Sequence, residues 1–487
     1  MSATTAGGIE NYGTLNISDC SFTDTVSSAT YGGAIYNQSG SVTITNGAFS
    51  DNTVVDGTRG GGAIFSLAGS LNIDDSSFSG NSAPNGGGVY CYDCLLNIDD
   101  STFTGNNVPD GSGGGIYSYS GNVNITDSTF AGNGAPWSVE DGGGGAIFSD
   151  YDSLTIINSI FDSNTATGSS GGAILSSSLM DIRLSTFTNN SADSGGAIFN
   201  SGEDSTIANS TFSDNSASAA GISGGAVVNS DELTISNSTI YGNSAIGSGG
   251  GIGNISGTLR LRNTIVANNT ADNCGGIIAN GGSNLDSGST CGWGSESGSM
   301  SNINPLLSAL EGSPAYFPLD PGSPAIDLGN DAICAAAPVN NQSQNNITRP
   351  LGTHCDMGSY ETQDTTPPVV QGITRSDPNP VTATKVHFTV HFSEAVTGVD
   401  LSDFVLAVSG LTGSSISSVS GNASTYQVTV KVGWGTGTVR LDLVDDDSIV
   451  DQGLLPLGGV GYGNGDFDVG ETYDVQRYPY FLPQVLK

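Results

Sequence analysis

Short alternating stretches recur along the first half of the chain. Leu71-Asn72-Ile73 and Leu96-Asn97-Ile98 each put two apolar side chains on one face of an extended strand, and no segment is long enough or periodic enough at 3.6 residues to make a crossover helix. The stretches belong to a repeat. Aligning the apolar residue of a Gly-Gly-(Ala/Gly)-(Ile/Val) phrase gives Ile9, Ile35, Ile64, Val89, Ile116, Ile147, Ile174, Ile198, Val227 and Ile252, nine intervals that cover 243 residues at a mean of 27. Thirteen or fourteen residues after each anchor stands Phe22, Phe49, Phe78, Phe103, Phe130, Phe161, Phe187, Phe212, Ile240 or Ile265. Three residues further comes Asn52, Asn81, Asn106, Asn133, Asn164, Asn190, Asn215, Asn243 or Asn268, with Thr25 the exception. A period of this size marks a solenoid, and parallel strands joined by turns alone predict a parallel β-helix. At about 4.8 Å per coil, ten coils make a rod roughly 45 to 50 Å long. Inward Ile, Leu and Phe stack on their equivalents, paired glycines allow close approach at a corner, and the Asn column predicts an amide ladder that satisfies turn backbone.

The phrases GGA(I/L/V) and FxxN, recurring in fixed order from residue 7 to 270, resemble the polymorphic outer membrane protein repeat. That resemblance implies an all-β, right-handed, pectin-lyase-like solenoid, secreted or exposed on a bacterial cell surface and associated with adhesion. No autotransporter-type barrel follows the repeats.

Residues 271–362 lose the period and gain Pro, Cys and irregular Gly. The motifs "NPLLSAL", "DPGSPAIDLGN" and "CDMGSYE" resemble the choice-of-anchor Q region, although "NNQSQNNITRP" replaces its usual "DQRG" step. Such a segment is expected to cap the last coil and cover its strand edges. Cys274 with Cys291 and Cys334 with Cys355 are the expected disulfides, with other connectivities open. After the linker "TQDTTPPVV", residues 363–476 alternate strand patterns with turn clusters, as a β-sandwich does. Phe388 to Gly398 resembles the "FTVxFSExVTG" stretch of a bacterial immunoglobulin-like domain. Residues 477–487 read as a final strand or a sorting tail.

Composition sharpens the picture. The chain holds 72 Gly and only 11 Lys plus Arg, for a formal charge of −36, so it lacks the clustered cations that neutralise phosphates and nucleic acid is excluded as a partner. Strong acidity suits an extracellular protein, or one that holds divalent cations such as calcium. No run of about 18 apolar residues offers a transmembrane helix. The opening residues lack the basic and apolar regions of an export signal, and Gly7-Gly8-Ile9 already begins a repeat, so the native chain is expected to extend upstream.

The β-helix architecture hosts polysaccharide lyases and glycoside hydrolases acting on acidic or neutral cell-wall glycans, which makes an enzyme the first rival reading. The repeats contain no His, and their only bases are Arg59, Arg183, Arg260 and Arg262. A two-carboxylate mechanism stays open, but the expectation is a non-enzymatic binder, with a structural spacer as a third reading. Asp75, Asp100 and Asp127 share one register, preceded by Asp19 and Asn46 and followed by Asn158, Asn209, Asn237 and Asn263. A calcium ladder would need carboxylates throughout, whereas Asp and Asn share tolerance of left-handed turns, so turn chemistry is favoured. Cys91 and Cys94 suit a local disulfide or free thiols better than zinc, which would need further ligands. Asp466, Asp468 and Glu471 alternate around glycines as calcium loops do, but the match to an EF-hand loop is incomplete and a hairpin turn is favoured.

Spacing locates a binding edge. From the Asn position to the next Gly-Gly the step runs 7, 9, 5, 7, 11, 7, 5, 9 and 6, so all length variation falls at one corner. Loops that vary at one corner of a solenoid form a single edge, often the binding edge. The longest, residues 134–142, carries Trp137, Glu140 and Asp141, and an exposed indole can stack on a sugar or anchor a protein. Asp56 and Arg59 lie in the nine-residue step three coils earlier. The implied partner is an extracellular glycan or a surface protein.

Overall fold

Each period of the sequence folds into one coil carrying three short strands, with a fourth in several coils. The computed structural model describes residues 7–28, 31–55, 57, 59–136, 142–294, 296–451 and 453–477, and the chain divides into two compact units, Met1–Thr362 and Gln363–Lys487.

In the first unit a representative coil contributes Ile64–Leu67 to a first sheet, Ser70–Asp74 to a second and Ser77–Ser79 to a third. Among the described residues each of these strands pairs in parallel with its equivalent one coil away, giving sheets of eleven, eleven and twelve strands. The register is in phase: Ile35 lies beside Ile64, Ile44 beside Ile73 and Phe49 beside Phe78. This is a parallel β-helix.

Identical residues in register make the core a set of columns. Phe49, Phe78, Phe103, Phe130, Phe161, Phe187 and Phe212 are fully buried and stack with ring centroids 4.6 to 4.9 Å apart. The Asn column is a continuous ladder: Asn81 Nδ2 donates to Asn106 Oδ1 at 2.9 Å and to the Phe49 carbonyl at 3.0 Å, and the pattern repeats through Asn133, Asn164, Asn190 and Asn215. A second ladder uses serine. The Ser76 amide donates to Ser101 Oγ at 3.0 Å, Ser101 to Ser128 at 3.1 Å, and Ser128 to Ser159 at 3.2 Å. The residue before each serine turns the chain. Asp75, Asp100, Asp127 and Asn158 adopt φ of 46°, 43°, 48° and 50°, the left-handed region that Asp and Asn tolerate best. Leu184 takes the same conformation one coil on, at φ 55°. At the opposite corner Gly144 is required, because it has φ 65° and a Cβ there would lie 2.1 Å from the Ile147 carbonyl oxygen.

Two column assignments need correction at the last coil. Ile240 pairs with Val266, not Ile265, and the amide ladder continues from Asn243 to Asn269 at 3.0 Å, not to Asn268. A one-residue slip reverses the face of each side chain, so Ile265 points outward against Leu285 and Met357, while Asn268 takes a turn position at φ 54°. Nor does the solenoid stop at residue 270. Cys274–Gly275, Ile278–Asn280 and Leu285–Asp286 add a further strand to each sheet. Trp293 and the Cys274–Cys291 disulfide pack against that end of the core. Residues 303–362 do not cap the end as expected. They lie along the flank of the third sheet: Thr186 Oγ1 donates to the Ala315 carbonyl at 2.6 Å, Thr211 Oγ1 donates to Gln344 Oε1 at 2.7 Å, and the Ser359 amide donates to Thr239 Oγ1 at 3.1 Å. Cys334 bonds Cys355, Cys91 bonds Cys94, and Cys20 is free and exposed.

Among its described residues the second unit holds seven antiparallel strands: β1 (Val370–Arg375), β2 (Lys385–Phe392), β3 (Phe404–Thr412), β4 (Ser415–Asn422), β5 (Thr425–Lys431), β6 (Trp434–Leu443) and β7 (Thr472–Arg477). One sheet has the order β1-β2-β5-β4 and the other β3-β6-β7. Phe388, Val390 and Val428 of the first meet Val439, Leu441 and Tyr473 of the second in one core, which makes a sandwich.

Candidate functional site

In a strand, the residue after an inward anchor points outward. In five successive coils that residue is aromatic: Tyr36, Phe65, Tyr90, Tyr117 and Phe148. In-register pairing brings the rings face to face, with centroid separations of 4.7 Å for Phe65–Tyr90, 4.6 Å for Tyr90–Tyr117 and 4.8 Å for Tyr117–Phe148. Tyr36 meets Phe65 at a tilt, 5.8 Å away, and Tyr31, from the preceding corner loop, stacks on Tyr36 at 4.7 Å. A second row lies two residues on. Tyr92 stacks on Tyr119 at 5.4 Å, and Tyr151, three residues after Phe148, meets Tyr119 edge-on at 5.2 Å.

The two rows differ in access. Tyr36, Phe65 and Tyr90 are buried, Tyr92, Tyr117, Phe148 and Tyr119 are half-buried, and Tyr151 is exposed. The Arg59 guanidinium sits 4.9 Å from the centre of the Tyr92 ring, so this side chain of the corner step lies against the aromatic face. Burial, followed by the nearby Asp150 and Tyr119, pushes the Tyr117 phenol up to about 12, and burial with Tyr117 beside it drives Tyr90 higher still. Both phenols therefore remain neutral hydroxyls at physiological pH. The result is a stripe of flat apolar rings carrying polar hydroxyls, with one cation at its edge, on an otherwise acidic protein.

A second feature lies on the outer face of the second sheet. Asn72, Asp74, Asn97, Asp99, Asn124 and Thr126 line a shallow trough of about 440 Å³. Asn124 Nδ2 donates to Asn97 Oδ1 at 2.9 Å and Asn97 Nδ2 to Asn72 Oδ1 at 2.8 Å. Asp74 and Asp99 stand in register on adjacent coils. Partial burial, then Asp100, Asp127 and Asp74, hold the Asp99 carboxyl above the usual carboxylate range.

The residues singled out from sequence divide among several places. Arg59 is on the aromatic face. Trp137, Glu140, Asp141 and Asp56 lie outside the described residues. Asp75, Asp100 and Asp127 are exposed turn residues, and Asp127 accepts a hydrogen bond from Asn158 Nδ2. Asp466 Oδ1 accepts the Asp445 amide at 2.7 Å, Glu471 accepts the Arg375 amide at 2.6 Å and pairs with its guanidinium at 3.4 Å, and Asp468 lies near Arg440. Those three carboxylates thus face separate partners. Sequence reasoning passed over the aromatic stripe, although its signal was present: the position after the Gly-Gly anchor reads Tyr, Phe, Tyr, Tyr, Phe in consecutive coils.

Comparison with known proteins agrees with this architecture. Residues 4–161, which include the aromatic stripe, match the family described as right handed beta helix region, and residues 185–201 match the Chlamydia polymorphic membrane protein repeat. No curated protein and no solved structure matches the chain. The solenoid is therefore a right-handed parallel β-helix whose repeats are similar to those of polymorphic membrane proteins.

Proposed function

We propose that this protein is a surface-exposed, non-enzymatic β-helix that binds an extracellular glycan through the aromatic stripe and the variable loop edge beside it. The observation that carries the reading is the accessible part of the stripe, Tyr92 stacked on Tyr119 with Tyr117, Phe148 and Arg59 next to them. The accessible ring edges give sugar units apolar contact, and neutral phenols and a guanidinium donate to their hydroxyls and carboxylates. The similarity to polymorphic membrane protein repeats supports display at a cell surface and a role in adhesion. Residues 271–362 are read as a choice-of-anchor Q-like region. The sheet orders β1-β2-β5-β4 and β3-β6-β7 support an immunoglobulin-like reading of the second unit, since constant-type immunoglobulin sandwiches use this arrangement.

The second reading is a polysaccharide lyase or hydrolase, favoured by the raised carboxyl of Asp99 beside Asp74 in the trough. Native electrophoresis in gels containing single polysaccharides, stained afterwards for degraded polymer, separates the two. Binding predicts retardation that Tyr92→Ala with Tyr119→Ala abolishes, and no cleared zone. A cleared zone that disappears in Asp99→Asn establishes the enzyme instead.

A further inference from the structure

Three carboxylates from distant parts of the second unit converge. Asp364 precedes β1, Glu394 follows β2, and Asp451 lies in the connection between β6 and β7; one oxygen from each falls within 4.8 Å of the others. Among the described residues no other group of three such side chains is so close.

The decisive member is Asp451. Its residue is 2 % exposed, and while Oδ1 accepts the Leu455 amide at 2.9 Å, Oδ2 is buried with no hydrogen-bond partner. An unpartnered buried carboxylate oxygen is costly, and more so when it faces further carboxylates. No ion pair among the described residues offsets the cluster, since the pairs present involve Arg183, Arg349, His354, Arg375, His387 and Arg440. The cradle is also held open. A Cβ on Gly453 would lie 3.2 Å from both Asp364 Cβ and Asp451 Oδ1.

We propose that Asp364, Glu394 and Asp451 form a calcium site in the C-terminal sandwich. The donors are all hard carboxylate oxygens, and calcium at about 2.3 to 2.6 Å from each ligand spans oxygens up to about 5 Å apart, whereas magnesium at about 2.0 to 2.1 Å demands a tighter set. The cation would give Asp451 Oδ2 its missing partner and turn mutual repulsion into shared coordination. It ties the segment before β1 to the β6–β7 connection within the one unit. The site is independent of the glycan reading and of the Asp75, Asp100, Asp127 column.

The test is isothermal titration of calcium chloride, and separately magnesium chloride, into the full chain freed of metal with EGTA, with thermal melts alongside. One calcium per chain is expected with Kd on the order of 0.1 to 1 mM, the range of extracellular modules, and a weaker response to magnesium. Glu394→Gln, on a half-buried side chain that leaves the fold intact, should weaken calcium binding by about tenfold or more, as should Asp451→Asn, while Asp100→Asn leaves it unchanged. Absence of calcium binding up to about 10 mM overturns the site, because three convergent carboxylates place affinity well below that. Calcium binding that survives Glu394→Gln at full strength overturns it equally.

Discussion

Asn133 tests whether the amide ladder, as distinct from the phenylalanine column, holds the coils together. Its side chain is fully buried at the centre of the solenoid and makes four hydrogen bonds. Nδ2 donates to Asn164 Oδ1 at 3.0 Å and to the Phe103 carbonyl at 2.9 Å; Oδ1 accepts from the Asn106 amide at 3.1 Å and from Asn106 Nδ2 at 3.0 Å. Asn133→Ala strands two donors and two acceptors in a dry corner. Each buried group left unpaired costs about 1 to 3 kcal/mol, and partial re-pairing or entry of one water brings the expected total to about 4 kcal/mol. Asn133→Asp keeps the volume and the acceptor role but loses both donations and adds a buried charge, so it should be at least as damaging. Phe130→Ala in the same coil is the reference, at about 3 to 5 kcal/mol for the lost ring. Urea unfolding followed by circular dichroism reads the midpoint of the first unit, with the sandwich transition as internal control. If Asn133→Ala shifts stability by less than about 1 kcal/mol while Phe130→Ala behaves as expected, the ladder hydrogen bonds are not a net stabilising element and the reasoning fails.

Three further outcomes follow from the geometry. Asp100 sits at φ 43°, so Asp100→Gly and Asp100→Asn should leave the melting temperature of the first unit nearly unchanged while Asp100→Ala costs about 1 kcal/mol; EDTA should not move that transition if turn conformation explains the column. Glu361 is buried 3.3 Å from Arg349, and burial outweighs the guanidinium to push its carboxyl up from 4.5 to about 7. The folded state then binds the extra proton between these values, so the first unit should lose stability as pH rises from 4.5 to about 7, and Glu361→Gln should flatten that slope in melts across the range. The Cys334–Cys355 bond closes a segment with a sequence separation of 21, so replacing both cysteines with Ser should destabilise the flanking segment by about 3 kcal/mol, seen as faster proteolysis within residues 302–362 before the coils are cut.

What the sequence by itself determined is everything that repeats. The columns through Phe78 and Asn81, the corner glycines and the in-phase register were legible because each coil touches only its neighbours, so a 27-residue period in the letters is also the period of the contacts. The Asp and Asn corners were legible for the same local reason, since a left-handed turn selects its residue type without reference to distant parts of the chain. Where the repeat frays, the reading slipped: Ile265 and Asn268 fit the spacing rule, yet Val266 and Asn269 occupy the columns, because Ile265 is drawn outward into the cluster formed with Leu285 and Met357. Only the tertiary structure decided the rest. Residues 302–362 flank the third sheet through partners more than 100 positions away, among them Gln344 with Thr211, and no local pattern encodes that docking. The aromatic stripe needed coiling to bring five single residues into one contiguous row of rings. Asp364, Glu394 and Asp451 are each unremarkable in sequence, and it is the folding of the sandwich that brings an acid from three separate connections to one point and leaves one oxygen without a partner.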